Sequence, residues 1–272
     1  MAKGQFHIVP GAAVTMVALV LAACSAAPVV WAPASTRAGD HLQGRLVLDG
    51  VEPRFTVDTA SLLAPQMPGA CPASARVAVS GTSGVERYVA WWAPRADSSS
   101  ALFVARSIDA GRSWSTPELV DSADHNAVGC NRPAPAIAAD SSSGYVHVAY
   151  SMRDVQGAGV FFSHSMDRGR MFHSPVTIMY GDELTDAAIA ARGDTVVVAF
   201  IDPSSDHPQV RIALSHTMGH IFEQRLTVPS SSDASEPAIA IAAGRVAVAW
   251  VHRVPDGAIS VVVRSGRFGG AR

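Results

Sequence analysis

The stretch "SIDAGRSW" (Ser107–Trp114) reads as a strand end, a tight turn holding an Asp and a Gly two residues apart, and an aromatic. It returns along the chain as "SMDRGRMF" (Ser165–Phe172), then as "SHTMGHIF" (Ser215–Phe222) with Thr217 where the Asp stood. A last copy, "SGRFGGAR" (Ser265–Arg272), keeps Ser265 and Gly269. The last three copies start 50 residues apart, and a unit returning at that period signals a repeated architecture rather than an isolated motif.

The rest of each unit repeats as well. "YVHVAYSMRD" (Tyr145–Asp154), "TVVVAFIDPS" (Thr195–Ser204) and "RVAVAWVHRV" (Arg245–Val254) place Tyr150, Phe200 and Trp250 at a spacing of 50, and "RYVAWWAPRA" (Arg87–Ala96) puts Trp91 in the same role. Before each lies a small-residue strand such as "PAIAIA" (Pro237–Ala242), and after each a third strand ending in Ser. Val, Ile, Phe and Tyr runs bounded by Gly, Pro, Ser and Asp clusters read as short β-strands. The pattern predicts an all-β chain, a β-propeller of four-stranded antiparallel blades, with repeats at about 71–124, 130–182, 183–232 and 233–272.

The two full turns resemble the Asp box, or BNR repeat, of sialidase-like propellers, whose pattern is Ser, any, Asp, any, Gly, any, any, aromatic. Ser107, Asp109, Gly111 and Trp114 match it, as do Ser165, Asp167, Gly169 and Phe172. The resemblance implies that the boxes lie on the turn between third and fourth strands, on the face away from any active site. Their chemistry points the same way. A short carboxylate accepts backbone N–H bonds, Gly supplies positive φ and the aromatic covers the strands, so every part has a structural use.

The fourth repeat runs out after its third strand. A closed ring needs its outer strand from elsewhere, and "GRLVLDG" (Gly44–Gly50) or "RFTVD" (Arg54–Asp58) is the expected donor; residues 38–70 alternatively hold a divergent fifth blade. On this reading residues 25–43 are a linker and 44–272 the propeller.

The N-terminus has the layout of an export signal: Lys3, then the apolar run "AAVTMVALVLAA" (Ala12–Ala23), then small residues. "LAAC" (Leu21–Cys24) resembles the lipobox of bacterial lipoproteins, which makes Cys24 the expected lipidation site and residues 1–24 a lipoprotein-type signal. An ordinary secretory signal and an uncleaved membrane anchor are the other two readings, since no charged residue falls between Lys3 and Arg37. All three place the body outside the cytoplasm, in the bacterial cell envelope, on its periplasmic or outer face. In that compartment the two further cysteines, Cys71 and Cys130, are free to form a disulfide.

Composition narrows the partners. The formal net charge is −2 and Lys3 is the one lysine, so the basic residues are Arg scattered along the chain, with no basic block to suit nucleic acid. No cofactor motif is present, and no metal site is expected: His216 and His220 stand four apart on a turn rather than on a helix face.

By repeat register, the face opposite the Asp boxes receives Arg95, Arg153, Asp202, His252 and Arg253 from the turns between second and third strands. Arg132, Asp186 and Glu236 reach it from the connections between blades. Several Arg there could clamp a carboxylate, although charged loop residues are also ordinary solvated surface. A sialidase implies more: three Arg, a Tyr nucleophile paired with a Glu, an Asp acid/base and an Arg-Ile-Pro motif. That motif is missing, and the nearest candidates are Tyr180 and Glu183 with Arg132, Arg153 and Arg253. The leading expectation is therefore a membrane-tethered binding or scaffold module rather than an enzyme, docked as an accessory subunit on a protein complex of the envelope. An exo-sialidase-like glycoside hydrolase and a lectin-like glycan binder are the alternatives.

Overall fold

The computed structural model describes residues 27–50, 52–57, 66–81, 83–204, 206–253 and 257–269. Among these there is no helix, and nineteen strands follow in order. They are β1 (Val29–Trp31), β2 (Ser35–Ala38), β3 (Arg45–Val47), β4 (Arg54–Thr56), β5 (Arg76–Ser80), β6 (Glu86–Pro94), β7 (Ser100–Ser107), β8 (Glu118–Asp121), β9 (Ala136–Ala139) and β10 (Val146–Asp154). Then come β11 (Gly157–Ser165), β12 (Val176–Gly181), β13 (Ala187–Arg192), β14 (Thr195–Asp202), β15 (Gln209–Ser215), β16 (Gln224–Thr227), β17 (Ala234–Ala242), β18 (Arg245–Arg253) and β19 (Ile259–Phe268).

They form a β-propeller. Blade I is the β3–β4 hairpin, blades II, III and IV are the antiparallel sheets β5–β8, β9–β12 and β13–β16, and blade V is β17–β18–β19 completed by β1 and β2. The first strand of every blade, β3, β5, β9, β13 and β17, lines a central channel of ≈ 680 Å³. Small side chains belong there because five strands converge on one axis: the wall is Ala138 and Ala139, Ala187 to Ala191, Ala238 and Ala240 with their Val and Ile neighbours.

The second strand of each of blades II to V has a strand on either side and a blade against each face, so its backbone and side chains are enclosed. That is why it reads as an unbroken apolar run. Val196 to Phe200 and Val246 to Val251 are buried throughout. Tyr150, Phe200 and Trp250 pack toward the preceding blade, in the II–III, III–IV and IV–V interfaces respectively, while Ala149 turns to the next one. Trp91 likewise faces away from blade III, under Met67 and Ala70. Burying a large aromatic contributes roughly 1.5–3 kcal/mol, so this one repeated position supplies much of the adhesion between blades.

Ring closure departs from the expected donor. β1 and β2, in the segment expected to be a linker, together form the outer strand of blade V, with Val29 opposite Phe268 and Ala38 opposite Ser260. The segment Gly44–Gly50 and the strand Arg54–Thr56 instead build blade I, whose Leu46, Leu48 and Phe55 pack on Ala247, Ala249 and Val261 of blade V. The divergent fifth blade is thus present as a hairpin, and the ring is tied by pairing the start of the described chain with its end. Cys24 and the rest of the expected signal segment lie outside the described residues.

Candidate functional site at the channel mouth

The Asp boxes have the geometry their chemistry demands. In the second box the Ser165 hydroxyl accepts the Gly169 N–H at 2.8 Å and donates to Asp167 at 2.7 Å, and Asp167 in turn accepts the N–H groups of Arg170 and Met171 at 3.0 and 3.1 Å. In the first, Asp109 accepts the Ser113 N–H at 2.9 Å while Ser107 accepts that of Gly111 at 2.8 Å. Bonds from the Ser113 hydroxyl and N–H, then from Ser107, hold Asp109 well below the usual carboxylate range. Burial opposes the same effect at Asp167, but its bonds from Ser165, Met171 and Arg170 prevail and lower it too. In the third box the Thr217 hydroxyl takes the Ile221 N–H at 2.9 Å, so a neutral oxygen replaces the carboxylate at the same bond. As far as Phe268 the fourth copy makes no turn, because β19 continues through Ser265 to pair with β1.

Each box is tied to the hairpin between the first and second strands of its own blade, by Ala110 N–H to Val85 O, Arg168 N–H to Gly144 O and Met218 N–H to Asp194 O. This defines the lower face of the ring. The opposite, upper face receives the remaining predicted residues, and most of them are consumed in holding loops. Arg95 donates to Ser122 O and Arg153 to Asp182 O, both at 2.7 Å. Asp202 accepts from Arg211 at 2.9 Å, and His252 Nδ1 lies 2.9 Å from Ser232 O. Each of these joins a turn to a neighbouring strand or connection, so the convergence of Arg on the channel does not occur.

Arg132 is buried. Its guanidinium pairs with Asp124 at 2.9 Å beneath the Trp92 indole, and with the Cys71–Cys130 disulfide (Cα–Cα 5.2 Å) it locks blade II to the connection entering blade III. Tyr180 lies on the outer strand β12 rather than in a loop, and donates to Asp154 at 3.0 Å. Glu183 is exposed on the connection that follows it, and Arg253 stands on blade V, two blades away. Tyr180, Glu183, Arg132, Arg153 and Arg253 therefore share no common site, and none lines the channel among the described residues. Sequence spacing misses this because neighbours along an outer strand point away from the axis.

Two of the expected residues do meet. Asp186 and Glu236 precede by two residues Ala188 and Ala238, which pair with Ala199 and Ala249, so they occupy the same register position on adjacent blades IV and V. The earlier repeats have Ser74 and Ala134 there. Both carboxyls line the upper mouth of the channel. Glu236 is aimed by the backbone: it has φ +50° and sits in a register shift of β17 between Ser235 and Ala238, a bulge that redirects a side chain. Its carboxylate accepts the Leu42 N–H at 3.3 Å. Asp186 is exposed to solvent at the channel mouth, although protein crowds its other sides. That crowding, then the negative charge of Glu236, raises its pKa above the ordinary value, against the opposing charge of Arg76. Arg76 and Arg45, which also line the channel, were not legible because they stand within strands that alternate like any edge of a sheet.

A second titratable cluster lies near the lower face. His147 and His164 stack with Tyr145, His173 stacks on His164, and His220 meets His164 edge-on at 4.6 Å between ring centres. Burial pushes His147 down to about 3 and His164 to about 4, and each is lowered further by neighbouring His. They behave as aromatic packing. Among the described residues no group of three or more His, Cys, Asp or Glu is placed to hold a metal ion.

No protein-family model and no curated protein matches the chain. Several similar solved structures are named as enzymes that act on carbohydrates. A xylan β-1,4-xylosidase from Bacillus halodurans is 13% identical with TM-score 0.46, over 83% of this chain and 52% of that one. The Trypanosoma rangeli sialidase, solved with the inhibitor DANA, is 13% identical with TM-score 0.46, over 82% and 40%. An α-L-arabinofuranosidase from Podospora anserina, in complex with cellotriose, is 13% identical with TM-score 0.43, over 73% and 65%. The chain spans about half or less of the first two.

Proposed function

We propose that the protein acts on a glycoside at the upper channel mouth, with Asp186 as proton donor and Glu236 as its ionised partner. The observation that carries this reading is the bulge at Glu236, an energetically costly conformation for a residue with a side chain, which brings a carboxylate beside a carboxyl of raised pKa. Such a pair divides labour. Asp186 gives its proton to the glycosidic oxygen as the anomeric C–O bond breaks, and water adds at the anomeric carbon while Glu236 takes the water's proton. Arg45, and Arg76 whose guanidinium also donates to the Ala73 and Ala75 carbonyls, line the channel and offer positive charge to an acidic substituent of the sugar.

The binding module expected from the sequence is the second reading. It is favoured by the channel wall, in which the described lining includes no aromatic side chain for a sugar to stack on. The two separate in one assay. A panel of fluorogenic glycosides, neutral and acidic, is incubated with the full-length protein and with Asp186→Asn. The expected outcome is turnover that falls as pH rises and Asp186 loses its proton, and a drop of roughly 10²-fold or more in kcat/KM for the variant. Turnover that is unchanged in Asp186→Asn, or no turnover of any substrate, rejects the catalytic reading; in the second case retained binding of a glycan array leaves the lectin-like role.

A further inference from the structure

The chain passes from blade III to blade IV on the upper face, and there the seam between them is pinned. The Thr185 N–H donates to Ser151 Oγ and its hydroxyl to Ile201 O, both at 2.9 Å. The lower half of the same seam carries imidazoles instead. His147 of β10 stacks on Phe162, and both His147 and His164 of β11 stack on Tyr145. His220, from the box turn of blade IV, meets Tyr145 and His164 edge-on, the latter at 4.6 Å between ring centres. His173, from the loop after the second box, stacks on His164 at 4.9 Å.

Such a set packs well only while it is uncharged. His147 is 0% and His164 5% exposed, and both His147 nitrogens and His164 Nε2 have no hydrogen-bond partner among the described residues. A proton added there places a charge and a further N–H donor where no acceptor stands and water has little access. It also sets like charges one ring apart across the seam. Asp140, on the β9–β10 hairpin with its carboxylate bonded to Ser142 and Ser143, favours a charged His147, but burial and the neighbouring imidazoles prevail. Arg168 packs on Gly144 of that hairpin and adds positive charge. On blade IV, Asp194 accepts from Thr195, Glu223 accepts the His216 N–H, and His216 faces Phe268 of blade V.

We propose that the lower half of the seam between blades III and IV is an acid-released latch. It is closed while His147, His164 and His220 are neutral, and it opens about the Thr185 pin when they charge, baring Phe162 and Phe222. His147 at about 3 and His164 at about 4 lie below the ordinary 6.5. The advantage of the closed form is therefore complete above 6.5 and is lost as pH falls through 4 and 3. Between pH 7 and pH 5 each of the two favours the open seam by roughly tenfold or more. At the same level the seam between blades II and III is closed by Tyr88 packed on Gly169. The latch does not depend on the chemistry proposed for Asp186.

The test is a pH titration of the full-length protein by proton–nitrogen NMR of the imidazoles, with the Phe162 ring and the Trp92 and Trp250 indoles followed in the same samples. His147 and His164 are expected to stay neutral as pH falls from 7, then to charge together over less than about one pH unit while Phe162 shifts. That transition is expected above pH 4, where the closed form alone would keep both neutral. Trp92 and Trp250, in the seams on either side, are expected to hold their positions. The double variant His147→Phe/His164→Phe keeps the rings without the protons, and its Phe162 signals are expected to stay in place to about one pH unit lower or more. Separate titration of the two imidazoles with Phe162 unmoved, or none above pH 4, overturns the proposal. So does loss of the indole signals at the same pH, which would mean that the ring unfolds as one. A variant that opens at the wild-type pH also overturns it and assigns the release to the box carboxylates. If the variant does not fold, the wild-type titration decides by itself.

Discussion

On the lower face Asp167 accepts N–H bonds from its own turn and is lowered; on the upper face Asp186 is crowded beside Glu236 and is raised. The residue type is the same, and the difference lies in what surrounds it. Donors favour the charged form, whereas burial and a like charge oppose it. The consequences for stability run in opposite directions. Asp167, with its folded pKa depressed, contributes stability that is present above the ordinary carboxyl range and lost as pH falls through the folded value. Asp186, with its folded pKa raised, contributes stability that is present below that range and lost as pH rises through its folded value. The lower face is thus built for cohesion, and the upper mouth keeps an arrangement that costs stability at neutral pH, as sites of chemistry commonly do.

The means of holding the two faces differ too. The lower face repeats one hydrogen-bonded turn, while the upper face relies on devices that occur once, the Cys71–Cys130 bond and the buried Arg132–Asp124 pair. The largest expected effect follows from this. Replacing both cysteines by serine frees a loop closed across 59 residues, which the chain-entropy relation values at roughly 4 kcal/mol. The melting temperature, read by calorimetry, is expected to fall by about 10 °C, and reductant is expected to do the same to the wild type. A fall of less than about 2 °C would mean that the ion pair and the Trp92 indole hold the upper face unaided.

A smaller effect probes the turns. A Cβ at Gly219, where φ is +88°, would lie 2.3 Å from Phe162 Cζ of the preceding blade, while one at Gly193, where φ is +58°, would meet nothing within 4 Å. Gly193→Ala carries only backbone strain, about 1 kcal/mol. Gly219→Ala adds a clash with a buried ring, for a total of roughly 2–4 kcal/mol. Chemical denaturation of the two variants side by side separates the terms, and equal losses would show that the box glycine serves its turn alone and not the contact between blades.

The sequence reveals what repeats and conceals what occurs once. Tyr150, Phe200 and Trp250 mark buried second strands because burial on both faces leaves an apolar run, and the box at Ser165 marks its turn because only certain residues satisfy that backbone. Blade I escapes the same reading, since its strands are three residues long and lie outside the 50-residue period. The pairing of Val29 with Phe268 joins the two ends of the described chain and leaves no local trace. At the mouth, Asp186 and Glu236 were legible through register. That Arg132 would be buried against Asp124 was not, because ion pairing depends on distances that no spacing encodes.

The finest distinction lies within the lower face, between Asp167 and Thr217. Both oxygens accept the N–H four residues on, at 3.1 Å and 2.9 Å, but Asp167 also accepts the Arg170 N–H, whereas the equivalent His220 N–H turns to the Thr217 carbonyl at 3.1 Å. Thr217→Asp offers a charged acceptor to both donors. Against it stand the exposure of the turn and the Glu223 carboxylate, which already accepts the His216 N–H at 3.2 Å. The balance favours a gain of about 0.5 kcal/mol, or about 1–2 °C in melting temperature near neutral pH, disappearing as the pH falls through the folded carboxyl value. A gain that persists in acid would assign the benefit to packing rather than charge. A loss at every pH would mean that Glu223 has taken over the role of the missing Asp, so that the third box is complete in another form.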